Sequence, residues 1–370
     1  MKVLAFIKRH AWWLVPLIIA DIFLFRWLLT RSPEPEPLPP ETVAQVEPEP
    51  PPPPPPGLLY TYPTDQRDLW NTESTDVYQP TASGRIESAL FGSTRTRSFG
   101  GRLLPAFHMG IDLAPLRRDN RGRPLDEIYA VADGRIAYVN RVAGNSNYGI
   151  YIVVLHEDPM GEIYTLYAHL ARVAGGISEG TRVARGDVLG IMGNTASTGL
   201  PMHRAHLHFE IGVIKSHRFE AWYRTQNLPM VHGRYHGFNM TGIDPLTIYG
   251  EKGAERRFSM LHHLPTLEPA FSILIRANQP LDYFTRYPGL WHGDPHQGPA
   301  MVLTVSEAGV PLSGRTATAE EADRLGRSRA EVLEVNETVL GRNGRRHIVR
   351  RGGNWVLGRA GERWLAILTH

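Results

Sequence analysis

The stretch 203–213, HRAHLHFEIGV, decides how the chain is read. It sets His203, His206 and His208 within six positions, ahead of an apolar, β-branched run. On a helix His206 and His208 would point about 200° apart, whereas in a strand residues two apart share a face. Leu207, Phe209 and Ile211 alternate with His206, His208 and Glu210, the period of a half-buried strand with its histidines on the open face. His203 falls on the other parity, close to Pro201, and reads as a loop residue. A histidine pair alone is no more than a solvated sheet face. A catalytic zinc needs three protein ligands and an open fourth position, so the rest of the chain has to supply more.

The neighbouring sequence is rich in strands. IYAVADGRIAYVN (128–140) gives two apolar-alternating runs around Asp133-Gly134, a hairpin signal. YGIYIVVLHEDPMGEIYTLYAHL (148–170) gives two more around the Asp158-Pro159 turn, and GTRVARGDVLGIMGN (180–194) supplies short strands between glycines. No strongly amphipathic helix of ordinary length interrupts them, so the expected fold is mainly β, with an antiparallel sheet as its core. Within it, FHMGIDL holds His108 and Asp112. A spacing of four puts both on one side of a strand or a helix, and Pro105 and Gly110 favour the extended form. YTLYAHL places Tyr167 and His169 two apart at a strand end. The HExxH pattern is absent, since His156-Glu157 has no second histidine at the required offset.

Bulk composition narrows the chemistry. The chain has 370 residues, enough for two domains, and no cysteine, which excludes thiolate ligands, a thiol nucleophile and disulfides. Any metal must sit on His, Asp or Glu. A net charge of +3 is small for this length and makes no case for nucleic acid; the basic clusters at Arg117–Arg123 and Arg342–Arg351 read as solvated surface. At the N-terminus, Lys2, Lys8 and Arg9 precede nineteen mostly apolar residues, Ala11–Leu29, about long enough to cross a bilayer as an uncleaved signal anchor. Positive charge before the span keeps the N-terminus in the cytoplasm and exports the chain beyond the span. Residues 33–56, PEPEPLPPETVAQVEPEPPPPPPP, cannot build a core. As polyproline II their ~3.1 Å per residue spans roughly 70 Å, a spacer that holds the rest away from the membrane.

The motifs together, HxxxD, YAHL and HxH in that order, resemble those of the lysostaphin-type (LytM-type) zinc endopeptidases that cut the peptide part of peptidoglycan. The resemblance runs through ALFGSTRTRSFGGRLLPAFHMGIDLAP, VADGRIAYV, YGIYIVVLH, YTLYAHL, GTRVARGDVLGIMGNTASTG, HLHFEIG and the closing IDPLTIYG. It implies that His108, Asp112 and His208 are zinc ligands and that His169 and His206 are catalytic. Two imidazoles and a carboxylate leave such an ion net positive, with an open position where water becomes acidic near neutral pH. Either of the other two histidines can then act as base.

The chain departs from a minimal member in several places. RRDNRGRPL (117–125) and Phe219–Gly242 are insertions, in which His232 and His236 read as ordinary loop residues. The tyrosine that some relatives place just before the first ligand is missing between Tyr78 and His108, which leaves Arg102 as a substitute for the oxyanion role. Asn71 is the one asparagine between linker and His108 able to block the site as in latent relatives. Beyond Gly250, TATAEEADRLGRSRAEVLEVNE contains a helix, and HIVRRGGNWVLGRAGERWLAILTH reads as short strands around Gly353 and Gly361. That end is either a small appendage or a cap on the catalytic sheet.

The expected organisation is a cytoplasmic N-terminus and anchor (1–32), proline-rich linker (33–56), lead segment (57–87), zinc metallopeptidase domain (88–249) and C-terminal extension (250–370). The expected function is a zinc endopeptidase acting on peptidoglycan stem peptides and cross-links. It would be single-pass in the bacterial inner membrane, with the catalytic domain in the periplasm and the D-alanyl to diaminopimelate bond as substrate. Carboxypeptidase trimming stays open, and the alternatives are a non-catalytic regulator of other wall hydrolases and an envelope tether.

Overall fold

A computed structural model describes residues 25–27, 29–30, 57–99, 102–250, 253 and 255–370, with 97–99 and 102–104 as backbone alone. The expected anchor and the proline-rich linker lie outside the described residues, apart from helical positions 25–27 and 29–30. No helix among the described residues is long and apolar enough to cross a membrane. From Pro54 to His370 the chain forms one compact unit.

In chain order its strands begin β1 (Leu58–Leu59), β2 (Thr94–Phe99), β3 (Arg102–Phe107), β4 (Ile111–Leu113), β5 (Glu127–Tyr129), β6 (Gly134–Asn140) and β7 (Ile150–Asp158). They continue β8 (Gly161–Val173), β9 (Arg182–Val183), β10 (Val188–Met192), β11 (Leu207–Ile214), β12 (Met240–Ile243) and β13 (Arg257–Phe258). The last are β14 (Phe271–Arg276), β15 (Trp291–His292), β16 (Ala300–Val305), β17 (Pro311–Thr316), β18 (Ala330–Val335), β19 (Ile348–Arg351) and β20 (Asn354–Leu357).

The main sheet runs β12-β11-β8-β7-β6-β9, with β4 added beside β11, β10 beside β8, and β5 beside β10. Its ladders are antiparallel, as expected. β7 and β8 form the hairpin read from Asp158-Pro159, with Asp158 opposite Gly161. The Asp133-Gly134 hairpin does not form. β5 pairs with β10, and β6 with β7 and β9, so the dipeptide turns the chain between separate parts of the sheet.

β11 is buried along its whole length, which corrects the expectation of an open face. Leu207, Phe209 and Ile211 join the large core, while on the other face Ala168, Leu166, Tyr164 and Tyr151 form a second apolar cluster. The lead segment is also structural. Tyr60, Leu69 and Tyr78 are fully buried, and the Gln79 amide donates to the carbonyl of Asp112 at 2.9 Å.

The C-terminal region is a five-stranded sheet in the order β15-β17-β16-β14-β18. Its helix Ala319–Leu325 carries a capping box between Thr318 and Glu321. β19 and β20 turn through Gly352 and Gly353, both at positive φ. Where strands were expected around Gly361 there is a helix, Arg359–Leu368. That glycine marks close packing: a Cβ on it would stand 1.9 Å from the carbonyl oxygen of His347. Ile273, Leu303 and Trp364 belong to the same core as Tyr167 and Phe209, so this region caps the main sheet rather than hanging from it.

Candidate active site

Sheet register assembles the site. On one side of β11, His208 stands opposite Asp112 of β4; on the other it stands opposite Ala168 of β8, one residue before His169. β4 can lie this close because Gly110 has no side chain: a Cβ there would be 2.2 Å from the carbonyl oxygen of Phe209. His108 follows β3 directly, four residues before Asp112.

Hydrogen bonds fix which nitrogen of each imidazole faces the site. The Nδ1–H groups of His108, His169 and His206 donate to the carbonyls of Leu90 (2.8 Å), Thr195 (2.8 Å) and Arg204 (2.7 Å), leaving each Nε2 without its hydrogen and available as an acceptor or ligand. His208 is turned the other way, because its Nε2 meets the Glu210 carboxylate at 2.8 Å and its Nδ1 faces Asp112. Three donor atoms converge as a result. His108 Nε2 lies 3.1 Å from Asp112 Oδ1 and 3.0 Å from His208 Nδ1, and His208 Nδ1 lies 2.8 Å from Asp112 Oδ1. Ligands ~2.0–2.2 Å from one tetrahedral ion stand about 3.3 Å apart, so shifts of a few tenths of an ångström would admit zinc. Among the described residues these three form a group whose ligand atoms lie close enough together to hold a metal ion, and all are buried.

His206 and His169 complete the constellation. His206 Nε2 is 3.5 Å from Asp112 Oδ1, and the His169 and His206 ring centroids are 4.7 Å apart. His169 sits inside β8, at an irregularity where Ile150 pairs with Leu170 but Ile152 pairs with Tyr167. Its φ of 61° is left-handed, unusual for a non-glycine residue. The expected sharing of a face by Tyr167 and His169 is therefore broken. Tyr167 points into the core, where its hydroxyl accepts from the Val131 amide at 2.9 Å, and His169 turns towards His206.

The electrostatics suit a cation. Burial raises the Asp112 carboxyl, but Arg95, His108 and His206 outweigh it and hold it well below the usual carboxylate range. Burial pushes His108 down to about 4, so it is neutral, as a ligand must be. Burial also lowers His208, yet Asp112 and Glu210 on its two sides lift it to about 9. A positive charge between these carboxylates is favoured, and a divalent ion meets the same demand as that proton. Burial, with His206 and His208 adding to it, pushes His169 well below its ordinary value and leaves it a neutral proton acceptor.

Sequence reasoning did not single out Arg95, Glu210 or Tyr148. Arg95 binds the far oxygen of Asp112 while its Nε donates to Ser88 O at 2.6 Å, so it orients the carboxylate. Glu210 accepts from Tyr148 (2.7 Å) and Tyr164 (3.0 Å) and holds His208. Its alternation with His206 and His208 was the available signal. Arg102 is described as backbone alone, and Asn71 is exposed, its amide donating to Asp68 at 3.1 Å. His203 stands in the short 3-10 turn Met202–Arg204, which Arg118 of the first insertion ties down through Met202 O at 3.0 Å. His232 is a buried tie rather than a free loop residue, bonded to Tyr138 and to Asn145 O at 3.0 Å.

Residues 106–219 match the model of Peptidase family M23. No curated protein matches the chain. Among solved structures, a zinc containing peptidase from Vibrio cholerae is similar at 23% identity over 42% of this chain and 37% of that one, with a TM-score of 0.27. The catalytic domain of lysostaphin from Staphylococcus simulans is 17% identical over 43% of this chain and 87% of its own, with a TM-score of 0.27. The catalytic domain of a point mutant of EnpA, a prophage-encoded M23 protein of Enterococcus faecalis, is 25% identical over 33% and 83%, with a TM-score of 0.22. At these scores the likeness is local, and the chain spans little more than a third of the Vibrio protein.

Proposed function

We propose, from the match of residues 106–219 to the model of Peptidase family M23, that the protein is a membrane-anchored zinc metalloendopeptidase that cuts peptide cross-links of bacterial peptidoglycan. One observation carries the reading: His108 Nε2, Asp112 Oδ1 and His208 Nδ1 converge beside two further histidines whose Nε2 atoms are free. Zinc held there supplies a Lewis acid that polarises the scissile carbonyl and acidifies water.

The chain's own groups supply the proton traffic. His169 and His206 both present a bare Nε2: one takes the proton of the attacking water there, and the ring so protonated then steadies the developing oxyanion or delivers that proton to the amine as the C–N bond breaks. The carbonyls of Thr195 and Arg204 keep both rings in the tautomer this needs. Arg95 is paired with Asp112, while the partly buried Arg204, on which the Asp112 charge also acts, has an Nε with no partner among the described residues. The Arg204 charge suits the carboxylate-rich stem peptides of the wall.

The anchor at Ala11–Leu29, the spacer 33–56 and the divisions at 57, 88 and 250 rest on the sequence. They support an inner-membrane protein whose catalytic domain works in the periplasm on D-alanyl to diaminopimelate cross-links.

The test is digestion of purified diaminopimelate-type peptidoglycan by the zinc-loaded, full-length chain in nonionic detergent, with products read by mass spectrometry. Wild type should convert cross-linked dimers to monomers, and His206→Ala should slow this by about 10²–10⁴-fold. Wild type that binds wall but cuts nothing would leave the regulator or tether reading in its place.

A further inference from the structure

A second polar site lies between the residues just after β11 and the C-terminal helix Arg359–Leu368. The chain forms a half-open cavity there of about 70 Å³, several times the roughly 10–15 Å³ that admits one water. Its walls carry Lys215, Arg345, Arg363 and His347. Lys215 is 2% exposed and donates one hydrogen bond, to Met240 O at 3.2 Å, of the three its ammonium can make. Arg345, partly buried, donates from Nε to Ala308 O at 3.0 Å. Arg363 stands at the mouth, its guanidinium 3.9 Å from the centre of the Phe238 ring. None of the three cations joins an ion pair among the described residues.

Nothing else in the wall neutralises them. Glu210 is a carboxylate whose charge acts on Lys215 and Arg345, but its oxygens are taken by Tyr148, Tyr164 and His208. His347 is 6% exposed, and its Nδ1 is buried with no hydrogen-bond partner among the described residues. Buried charges are normally paired, and buried polar atoms are normally bonded. A cavity that gathers the buried Lys215, the half-buried Arg345, the exposed Arg363 at its mouth and an unsatisfied imidazole lacks one component, an anion with several acceptor atoms.

We infer that this cavity binds a small oxyanion, of the carboxylate or phosphate class, through Lys215, Arg345, Arg363 and His347. Burial, with Arg345 and Arg363 adding to it, pushes the Lys215 ammonium well below its ordinary range, a penalty that a bound anion removes. The site is distinct from the metal centre but shares a wall with it. Gly237 lines the cavity, and a Cβ there would lie 3.6 Å from the ring and hydroxyl of Tyr148, which donates to Glu210.

The test is calorimetric titration of the full-length chain in nonionic detergent with sodium phosphate, and separately with sodium acetate, against sodium chloride at matched ionic strength. Saturable binding of phosphate alone identifies a phosphate-bearing ligand, and saturable binding of acetate a carboxylate-bearing one. Lys215→Met and Arg363→Met should each weaken the binding at least tenfold. Asp112→Ala, which loses a metal ligand, should retain it. Lys215→Met should also melt no lower than wild type in chloride, because it removes an uncompensated buried charge, and should gain less than wild type when the anion is added. The inference is overturned by heats no different from chloride, by unchanged affinity in both cation variants, or by loss of binding in Asp112→Ala, which would assign the anion to the metal centre.

Discussion

Glu210 illustrates how much of the site depends on groups that touch no substrate. Its carboxylate turns His208 so that Nδ1 rather than Nε2 meets Asp112, and Tyr148 and Tyr164 hold the carboxylate in turn. Removal of such a support typically lowers metal affinity 10–100-fold. Glu210→Gln keeps the shape but removes the charge, so zinc affinity, measured by competition with a chromogenic chelator, should fall by about that factor. An unchanged affinity would mean that ring orientation is set elsewhere. At this scale the sequence was partly legible. The HxH pair, its strand and the alternation of Glu210 could be read, whereas Tyr164 comes from β8 and Tyr148 from the turn before β7, and their positions depend on register. Arg95 gave no signal at all, because it reaches Asp112 from a separate hairpin, β2–β3.

Among the elements, β8 matters most. Strict alternation places Tyr167 and His169 on one face, and the irregularity at His169 separates them, an event that a period-two pattern does not reveal. The conformation is locked by packing against Thr195, whose carbonyl fixes His169 and whose hydroxyl accepts from the amide of Ile150 at 2.9 Å. Gly149 permits this contact. Its φ is 62°, and a Cβ on it would lie 2.1 Å from the Thr195 oxygen. Gly149→Ala should therefore cost about 1–3 kcal/mol of stability and lower kcat by displacing the carbonyl that holds His169. A thermal melt together with cleavage kinetics checks both parts; full activity with an unchanged Tm would contradict the role given to this contact. The same limit explains the misplaced hairpin at Asp133-Gly134: a turn signal marks where the chain reverses, not which strand it then joins.

Across the whole unit, the C-terminal region is bound into the main sheet. Tyr287 donates to Glu162 O at 2.7 Å, Thr241 donates to Ala308 O at 2.8 Å, and the two sheets share one apolar core. Removing 250–370 would strip Ile273, Leu303 and Trp364 from the apolar core they share with Phe209. The truncated chain should be poorly soluble or melt well below full length, and the intact unit should unfold in one transition. Two separate transitions, or a truncated chain as stable as the whole, would make this region an independent appendage. The sequence left that choice open because the strand patterns of β14 to β18 show that a sheet exists but not what it packs against.

In the proposed site His108, Asp112 and His208 hold one zinc ion while His169 and His206 work beside it. The direct measurement is zinc per chain, by mass spectrometry of the element, in purified full-length wild type, Asp112→Ala, His208→Ala and His206→Ala. Near one equivalent is expected in wild type and His206→Ala, and little in the other two. Zinc absent from wild type after reconstitution, or retained equally by all four, would contradict the proposed site.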